Sequence, residues 1–370
     1  MIPVVRVMRF LTFSSLIPGL LAVTIGNNDP TTNQGLLGDL LTNSSTPTTT
    51  AGVLLRAWLL HQGTALAANN KLPIPASCGT ATPDVCCPWW PVSEDLTALF
   101  FDPTTGECTD DARAAIRLGF HDAASYSKKA EMAGEPTSGA DGSMLLFRED
   151  SRPENNGLQD IVSKLAVIQA KHGVGAADLI QFANQHATVT CPQGPRIVFF
   201  AGRKDATQAA PPGLVPDVHD TEQNLVDLMM DKTVNAQDLA ALLGAHSAAK
   251  QFHVDVETPE GIQIDSTPGI WDTNFYNETL QPSPSDGVFR FASDDVLSKS
   301  ENMTAVWNSF VGQQGLWNFE YALAYTRLSV LGVNNMDQMI DCSGPLPSFV
   351  ATAPGAIGRK IPKVRSVRFH

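Results

Sequence analysis

Strand-like alternation is scarce in this chain, and no apolar run beyond the first 26 residues is long enough to cross a membrane. "RIVFF" (196–200) is too short to build a sheet, so a mainly α fold is what remains. Positive charge is also short. Lys and Arg number 25 against 38 Asp and Glu, a net charge of −13 that argues against duplex DNA and anionic membranes as partners. There is no internal repeat, which argues against a solenoid. Cysteine is rare, with six in 370 residues, and acidic residues are missing altogether after Asp341.

The N-terminus reads as an export signal over 1–26. Arg6 and Arg9 precede a mostly apolar stretch, Leu11 to Val23, with small residues nearby. A buried first helix is the plainer alternative. Export makes an even cysteine count suggest three disulfides, and the adjacent Cys86 and Cys87 cannot easily bridge to each other. Sequons at Asn43, Asn277 and Asn302 permit N-glycosylation.

Residues 27–77 read as a leader or linker, with "TNSSTPTTT" disordered or stalk-like and a short apolar helix around Val53 to Leu66. From Cys78 onward helical periodicity dominates, at 92–101, 109–123, 157–171, 176–186, 221–230, 235–243, 293–298, 302–312 and 315–332. Pro- and Gly-rich loops fill 203–216 and 255–289, and 343–370 reads as a tail wrapping over the surface. The body is long enough for one large domain or two lobes.

Two constellations carry chemistry. In "RLGFHD" (117–122), Arg117 and His121 are four apart and share one helix face. Heterolytic cleavage of a peroxide needs such a pair. His121 can move a proton from the near oxygen to the departing one, and Arg117 can stabilise the charge that develops. Phe120 would keep the cavity dry and narrow. By itself an Arg/His pair on a helix is more often a surface pair. "SGADGSM" (138–144) follows, and Asp122, the Gly139 carbonyl, Asp141 and Ser143 form an oxygen set suited to calcium, although Asp-Gly is also a common turn. Asn155 can fix the tautomer of His121, with Glu149 holding the Asn; on spacing alone both are loop polar residues.

In "LLGAHSAAK" (242–250), His246 ends an apolar helical run and is either a satisfied core residue or an axial iron ligand. Ser247, Asp265, Thr267, the Ile270 carbonyl and Asp272 make a second calcium-like set beside it. Asp294, in "FASDD", is a candidate partner for the far ring nitrogen of His246 and would make the imidazole more basic.

With these motifs in order, and with "CPQGPRIVFFAGRKDA" (191–206), "DSTPGIWDTNFY" (265–276) and "DCSGPLP" (341–347), the chain resembles the plant peroxidase superfamily and is most similar to its secreted fungal branch, class II. The likeness runs from about Cys78 to Cys342. It implies two mainly helical lobes, a distal one over 78–205 and a proximal one over 206–342, with one haem b between them and two Ca2+. It implies His121 as distal acid–base, Arg117 as stabiliser, His246 as iron ligand and Asp294 as its partner. It pairs Cys78 with Cys87, Cys86 with Cys342 and Cys108 with Cys191. Hydrogen peroxide and small phenolic or other aromatic reductants are the implied partners of an extracellular monomer. Two readings compete from other classes, a haem-free secreted calcium-binding protein and a metal-dependent hydrolase.

Departures from the family bear on substrate. Where manganese-oxidising members place three acids, this chain has Asp110, Ala114 and Phe252. Ala241 stands where lignin and versatile peroxidases have a surface Trp, and Ala305 where a fourth disulfide is expected. Ile264 replaces the Phe or Leu usual before Asp265, and one extra residue lies between His246 and Asp265. Trp89, Trp90, Trp271, Trp307 and Trp317 read as core packing, with a redox role as the alternative.

Overall fold

The computed structural model describes residues 46–81 and 83–352. The expected signal, the first part of the leader, the Asn43 sequon and the end of the tail lie outside the described residues.

Thirteen α-helices are formed among the described residues, and strands are limited to two-residue ladders. None of these helices is long and apolar enough to cross a membrane. In the first half, α1 (Thr50–Leu59) precedes α2 (Trp89–Phe100), α3 (Asp110–Ala123), α4 (Lys128–Ala133), α5 (Ser143–Leu146), α6 (Gln159–His172) and α7 (Ala176–Thr190). In the second half come α8 (Glu222–Asp231), α9 (Ala236–Leu243), α10 (Asn274–Thr279), α11 (Ala292–Ser298), α12 (Thr304–Phe310) and α13 (Gln314–Leu328).

Local chemistry explains the boundaries. Thr109 caps α3 by accepting from the Ala112 amide, and Asp110 and Asp111 favour its positive end. Asn235 caps α9 in the same way, accepting from the Asp238 amide. Helix α6 ends at Gly173, whose φ of 64° is left-handed. Every residue of α7 is buried, so it forms the axis of the first helical group. Its first two amides donate to the carboxylate of Asp205. Helix α3 lies along α7, where Asn184 donates to the Ile116 carbonyl and Gln181 to that of Gly119. In the second group α9 packs on α13, with α10 and α12 beside them.

The expected helices from 92 onward form with small boundary differences. Sequence reading missed the short α4, α5 and α10, each too brief for periodicity to register. "RIVFF" does not build a sheet: Phe200–Ala201 pairs with Ile340–Asp341, and Ile197 forms a single antiparallel bridge with Leu66.

A leader over 27–77 is not what the structure shows for its second half. Helix α1 is capped by Thr49 and buries Leu55, Trp58 and Leu59 against the core, where Trp58 lies 5.7 Å from Phe200. The Asp337 carboxylate accepts from the amides of Thr48 and Thr49, anchoring the start of α1. Residues 66–72 then run as a strap beside 343–349. The Ala67 amide donates to Arg196, that of Leu72 to Gly344, and that of Phe349 to Asn69. The Arg196 guanidinium clasps both segments, donating to the carbonyls of Ala68, Ser343, Gly344, Leu346 and Pro347. Burial is divided within this segment: Leu55, Trp58, Leu59 and Ala65 are buried, while Val53, Leu60, Leu66, Leu72 and Ile74 stay exposed. The tail too does more than wrap the surface, since Leu346 is fully buried.

Disulfides join Cys78 to Cys87, Cys86 to Cys342 and Cys108 to Cys191, the pairings the family resemblance implies.

Candidate active site

Helix α3 presents Asp110, Arg113, Arg117 and His121 at intervals of three and four residues, hence on one face. That face looks at the segment after His246. Asp110 pairs with Lys250 at 2.9 Å, and Arg113 donates to the Pro268 carbonyl at 2.9 Å. The opposite face admits no side chain at Gly119, where a Cβ would stand 2.6 Å from Asn184 and 2.7 Å from the Tyr325 hydroxyl.

His121 is buried, with Nδ1 2.8 Å from Asn155 Oδ1 and Nε2 3.0 Å from Arg117 Nε. A guanidinium only donates, so Nε2 accepts and the ring proton sits on Nδ1, donating to Asn155. Asn155 in turn donates to the Glu149 carbonyl at 2.8 Å. Glu149 therefore holds the Asn through its main chain. Its carboxylate is committed to the Ala210 amide, at 2.6 Å, and to Arg152. Burial first, and the Arg117 charge second, push the His121 imidazole down to about 3, so the ring is neutral at ordinary pH. Arg117 keeps solvent-accessible area, yet its guanidinium is desolvated enough to fall to about 10, as expected at the floor of a recess. It also donates to the Asn156 carbonyl at 2.8 Å. Phe120 is half-buried, its ring edge-on to His121 at 5.9 Å.

The second imidazole is oriented by the same device with an anion in place of an amide. Helix α9 runs into a tight turn, Gly244–Ala248, that carries His246. Both carboxylate oxygens of the fully buried Asp294, on α11, lie 3.0 Å from His246 Nδ1. Asp294 thus accepts the Nδ1 proton, and Nε2 has no hydrogen-bond partner among the described residues. The rings of Phe275 and Phe291 flank the imidazole at 5.7 and 5.5 Å.

The oxygen sets adjoin these two histidines. Asp122 is fully buried and accepts from the amides of Gly142 and Met144. Asp141 accepts from the Ser138 hydroxyl at 2.6 Å and from the Ser143 amide. Ser143 is fully buried, and the Gly139 carbonyl is 3.5 Å from the Ser125 hydroxyl. Burial raises the pKa of both carboxyls, and for Asp122 the charge of Asp141 adds to it. In the second set, Ser247 Oγ and Asp265 Oδ2 are buried with no hydrogen-bond partner among the described residues. The Ile264 amide donates to Ala249, which carries the two on adjoining segments. Burial and then the Asp272 charge drive the Asp265 carboxyl well up. Thr267 bridges the two acids, its amide donating to Asp265 and its hydroxyl to Asp272, each at 2.8 Å. Ile270 closes the turn by donating its amide to the Thr267 carbonyl. No group of three or more His, Cys, Asp or Glu poised for a metal occurs among the described residues. Each set has two carboxylates completed by hydroxyl and carbonyl oxygens, the donors a hard cation accepts.

A model of the peroxidase family, described as "Peroxidase", matches residues 92–313, which span both histidines. This chain belongs to the peroxidase family. It is 33% identical over 321 residues to a peroxidase of Arthromyces ramosus, covering 82% of this chain and 86% of that one. It is 34% identical over 299 residues to ligninase H2 of Phanerodontia chrysosporium (76% and 79% covered). With versatile peroxidase VPS1 of Pleurotus eryngii it shares 33% over 297 residues (75% and 79% covered). These relatives place it in the fungal class II branch, with the mainly α haem peroxidase fold. It is an oxidoreductase that uses haem to reduce hydrogen peroxide at the expense of reducing substrates. The haem-free readings draw no support from these matches.

Within this peroxidase the departures have structural correlates. Asp110 is held in two ion pairs, with Arg113 and Lys250, while Phe252 is 38% exposed. Ala241 is fully buried, and its carbonyl accepts from Trp317. Ala305, on α12, leaves every cysteine of the chain in the three bonds already named. Ile264, before Asp265, is buried in the core. Sequence reading missed Gly119 and Gly244, each two residues before a functional histidine. A Cβ on Gly244 would stand 2.3 Å from the Tyr276 hydroxyl and 2.5 Å from Trp317 Nε1. It also missed Glu278, which accepts from the amide and hydroxyl of Ser266 beside the second oxygen set. No local motif marks these residues; their roles come from what packs against them.

Proposed function

We propose that this chain is an exported, generic peroxidase in which His246 holds the haem iron, His121 and Arg117 act on peroxide, and two Ca2+ brace the helix ends beside them. The observation that carries this reading is a shared design. Each histidine has Nδ1 tied to a buried side chain, Asn155 for His121 and Asp294 for His246, which fixes the ring that carries Nε2. The residues fit the groups they would hold. His246 offers Nε2, with its far ring nitrogen held by Asp294. Ser247 Oγ and Asp265 Oδ2 are buried oxygens without hydrogen-bond partners among the described residues, which a cation would satisfy. Asp122, Gly139, Asp141 and Ser143 would hold the other ion.

Haem, when bound between the lobes of 78–205 and 206–342, supplies the redox-active iron. The chain supplies proton handling and charge. His121 Nε2, unprotonated, takes the proton from the near oxygen of peroxide and returns it to the departing oxygen. Asn155 keeps the ring in the tautomer this requires. To do so Nε2 must part from Arg117 Nε, freeing the guanidinium to stabilise the leaving oxygen. Phe120 limits the space for water. Phenols and other small aromatic reductants would donate electrons at the exposed haem edge. An acidic surface, three disulfides and exposed sequons at Asn277 and Asn302 support a secreted monomer that binds neither nucleic acid nor membrane.

An absorption spectrum with one peroxide titration tests the reading. The purified protein should show a ferric high-spin Soret band that shifts on adding peroxide, and a flat spectrum in that region would end it. Asp294→Asn should lower retention of the haem iron or turnover roughly 10–100-fold, measured by apomyoglobin capture and by guaiacol oxidation; unchanged values would remove Asp294 from its assigned place. Prolonged chelation of calcium should lower the thermal midpoint and speed haem loss. An unaltered spectrum and midpoint would count against both cation sites.

A further inference from the structure

The chain has only four tyrosines and six tryptophans, yet three of each gather in one buried cluster: Trp271, Trp307, Trp317, Tyr276, Tyr321 and Tyr325. Phenylalanine, present 17 times, would fill such a core equally well. The concentration of the most easily oxidised rings at this place calls for a chemical account.

The cluster is continuous. The indoles of Trp271 and Trp317 are stacked, 4.8 Å apart and 6° from parallel. Tyr321 stands edge-on to Trp271 at 4.7 Å, and Tyr325 stacks on Tyr321 at 6.0 Å. Tyr276 lies 5.7 Å from Trp317, and Phe275 links Tyr276 to the ring of His246 at 5.5 and 5.7 Å. Both ends press on the backbone of a functional helix. Trp317 and Tyr276 abut Gly244, two residues before His246, and Tyr325 abuts Gly119, two before His121.

Proton chemistry decides which rings lose an electron. Oxidising a phenol requires that its proton leave. Tyr325 donates to the Gln181 amide oxygen and Tyr276 to the Ala240 carbonyl, neither of which is a base. Burial pushes all three phenols above their ordinary value. An indole can lose an electron and keep its proton. Trp271 Nε1 is buried with no hydrogen-bond partner among the described residues, and Trp317 Nε1 donates to the Ala241 carbonyl, so both protons stay. The positive charge left behind is spread over two parallel faces, each ring stabilising the cation on the other.

We propose that the stacked Trp271–Trp317 pair is an internal oxidation site that gives one electron to the peroxide-oxidised haem and becomes a shared radical cation. This rests on the reading of His246 as the iron ligand. Reduction of one peroxide to water leaves the enzyme two electrons short, and the indole pair covers one of them. No bond is made or broken and no proton moves. An electron from an external reductant, entering through the haem, later refills the pair. No reductant can touch the rings directly, since all six are at most 1% exposed. The pair is therefore a reservoir that holds an oxidising equivalent when substrate is scarce.

Freeze-quenched EPR of the full-length, haem-loaded protein with one equivalent of hydrogen peroxide and no reductant tests this. With ring-deuterated tryptophan incorporated, the radical signal should narrow, and ring-deuterated tyrosine should leave it unchanged. Trp271→Phe, which breaks no hydrogen bond, should lose most of that signal. Peptide mapping after excess peroxide should find oxygen adducts at Trp271 and Trp317, and far fewer in the variant. The proposal is overturned if only the tyrosine label narrows the signal, if Trp271→Phe leaves it intact, or if no protein radical forms while peroxide is consumed and the Soret band shifts. A Soret band that does not respond at all would instead bring down the assignment of the site, and this inference with it.

Discussion

Replacing His121 by alanine is expected to slow the reaction with hydrogen peroxide by roughly 10²–10⁴-fold, the span general acid–base catalysis supplies, while haem stays bound. The imidazole is the one neutral base on the face of α3 that looks toward the segment after His246, and Arg117 cannot replace it because a guanidinium does not accept protons. Stopped-flow mixing with peroxide measures the effect. A variant as fast as the parent would mean that another group moves the proton. The pH dependence follows from the same burial. The His121 pKa is depressed below its ordinary value, to about 3, so lowering the pH from neutrality leaves the base free until that value is approached. The rate constant should therefore stay level across the mildly acid range and fall only near pH 3. A fall centred on the ordinary histidine value near 6.5 would show that the ring is solvated.

Trp58→Ala is expected to cost about 3–5 kcal/mol of folding stability, the usual penalty for truncating a buried aromatic side chain. Trp58 is 4% exposed and packs on Phe200, deep in the joint between α1 and the rest of the molecule. Denaturant unfolding followed by haem absorbance or circular dichroism would measure it. A loss under about 1 kcal/mol, the scale of ordinary surface substitutions, would mean that α1 is a detachable leader after all.

Legibility in the sequence followed the physical range of each signal. Long helices were readable because their cores repeat every turn; α3 and α9 come with side-chain caps and amphipathic faces. His121 and His246 were readable because each lies in a short motif whose neighbours serve the same chemistry. The strap was not, since its role depends on Arg196, more than a hundred residues away. The carbonyl of Glu149, rather than its carboxylate, holds Asn155, a distinction only backbone geometry can draw. The stacking of Trp271 on Trp317 was equally invisible, as 46 residues separate two side chains that could each have been ordinary filling.

Arg196 has a consequence for how the molecule breathes. One planar cation gathers carbonyls from the strap at Ala68 and from the tail between Ser343 and Pro347. Neither segment can fray alone without stranding some of those donors, so the strap and the 343–347 stretch open and close as a single cooperative unit.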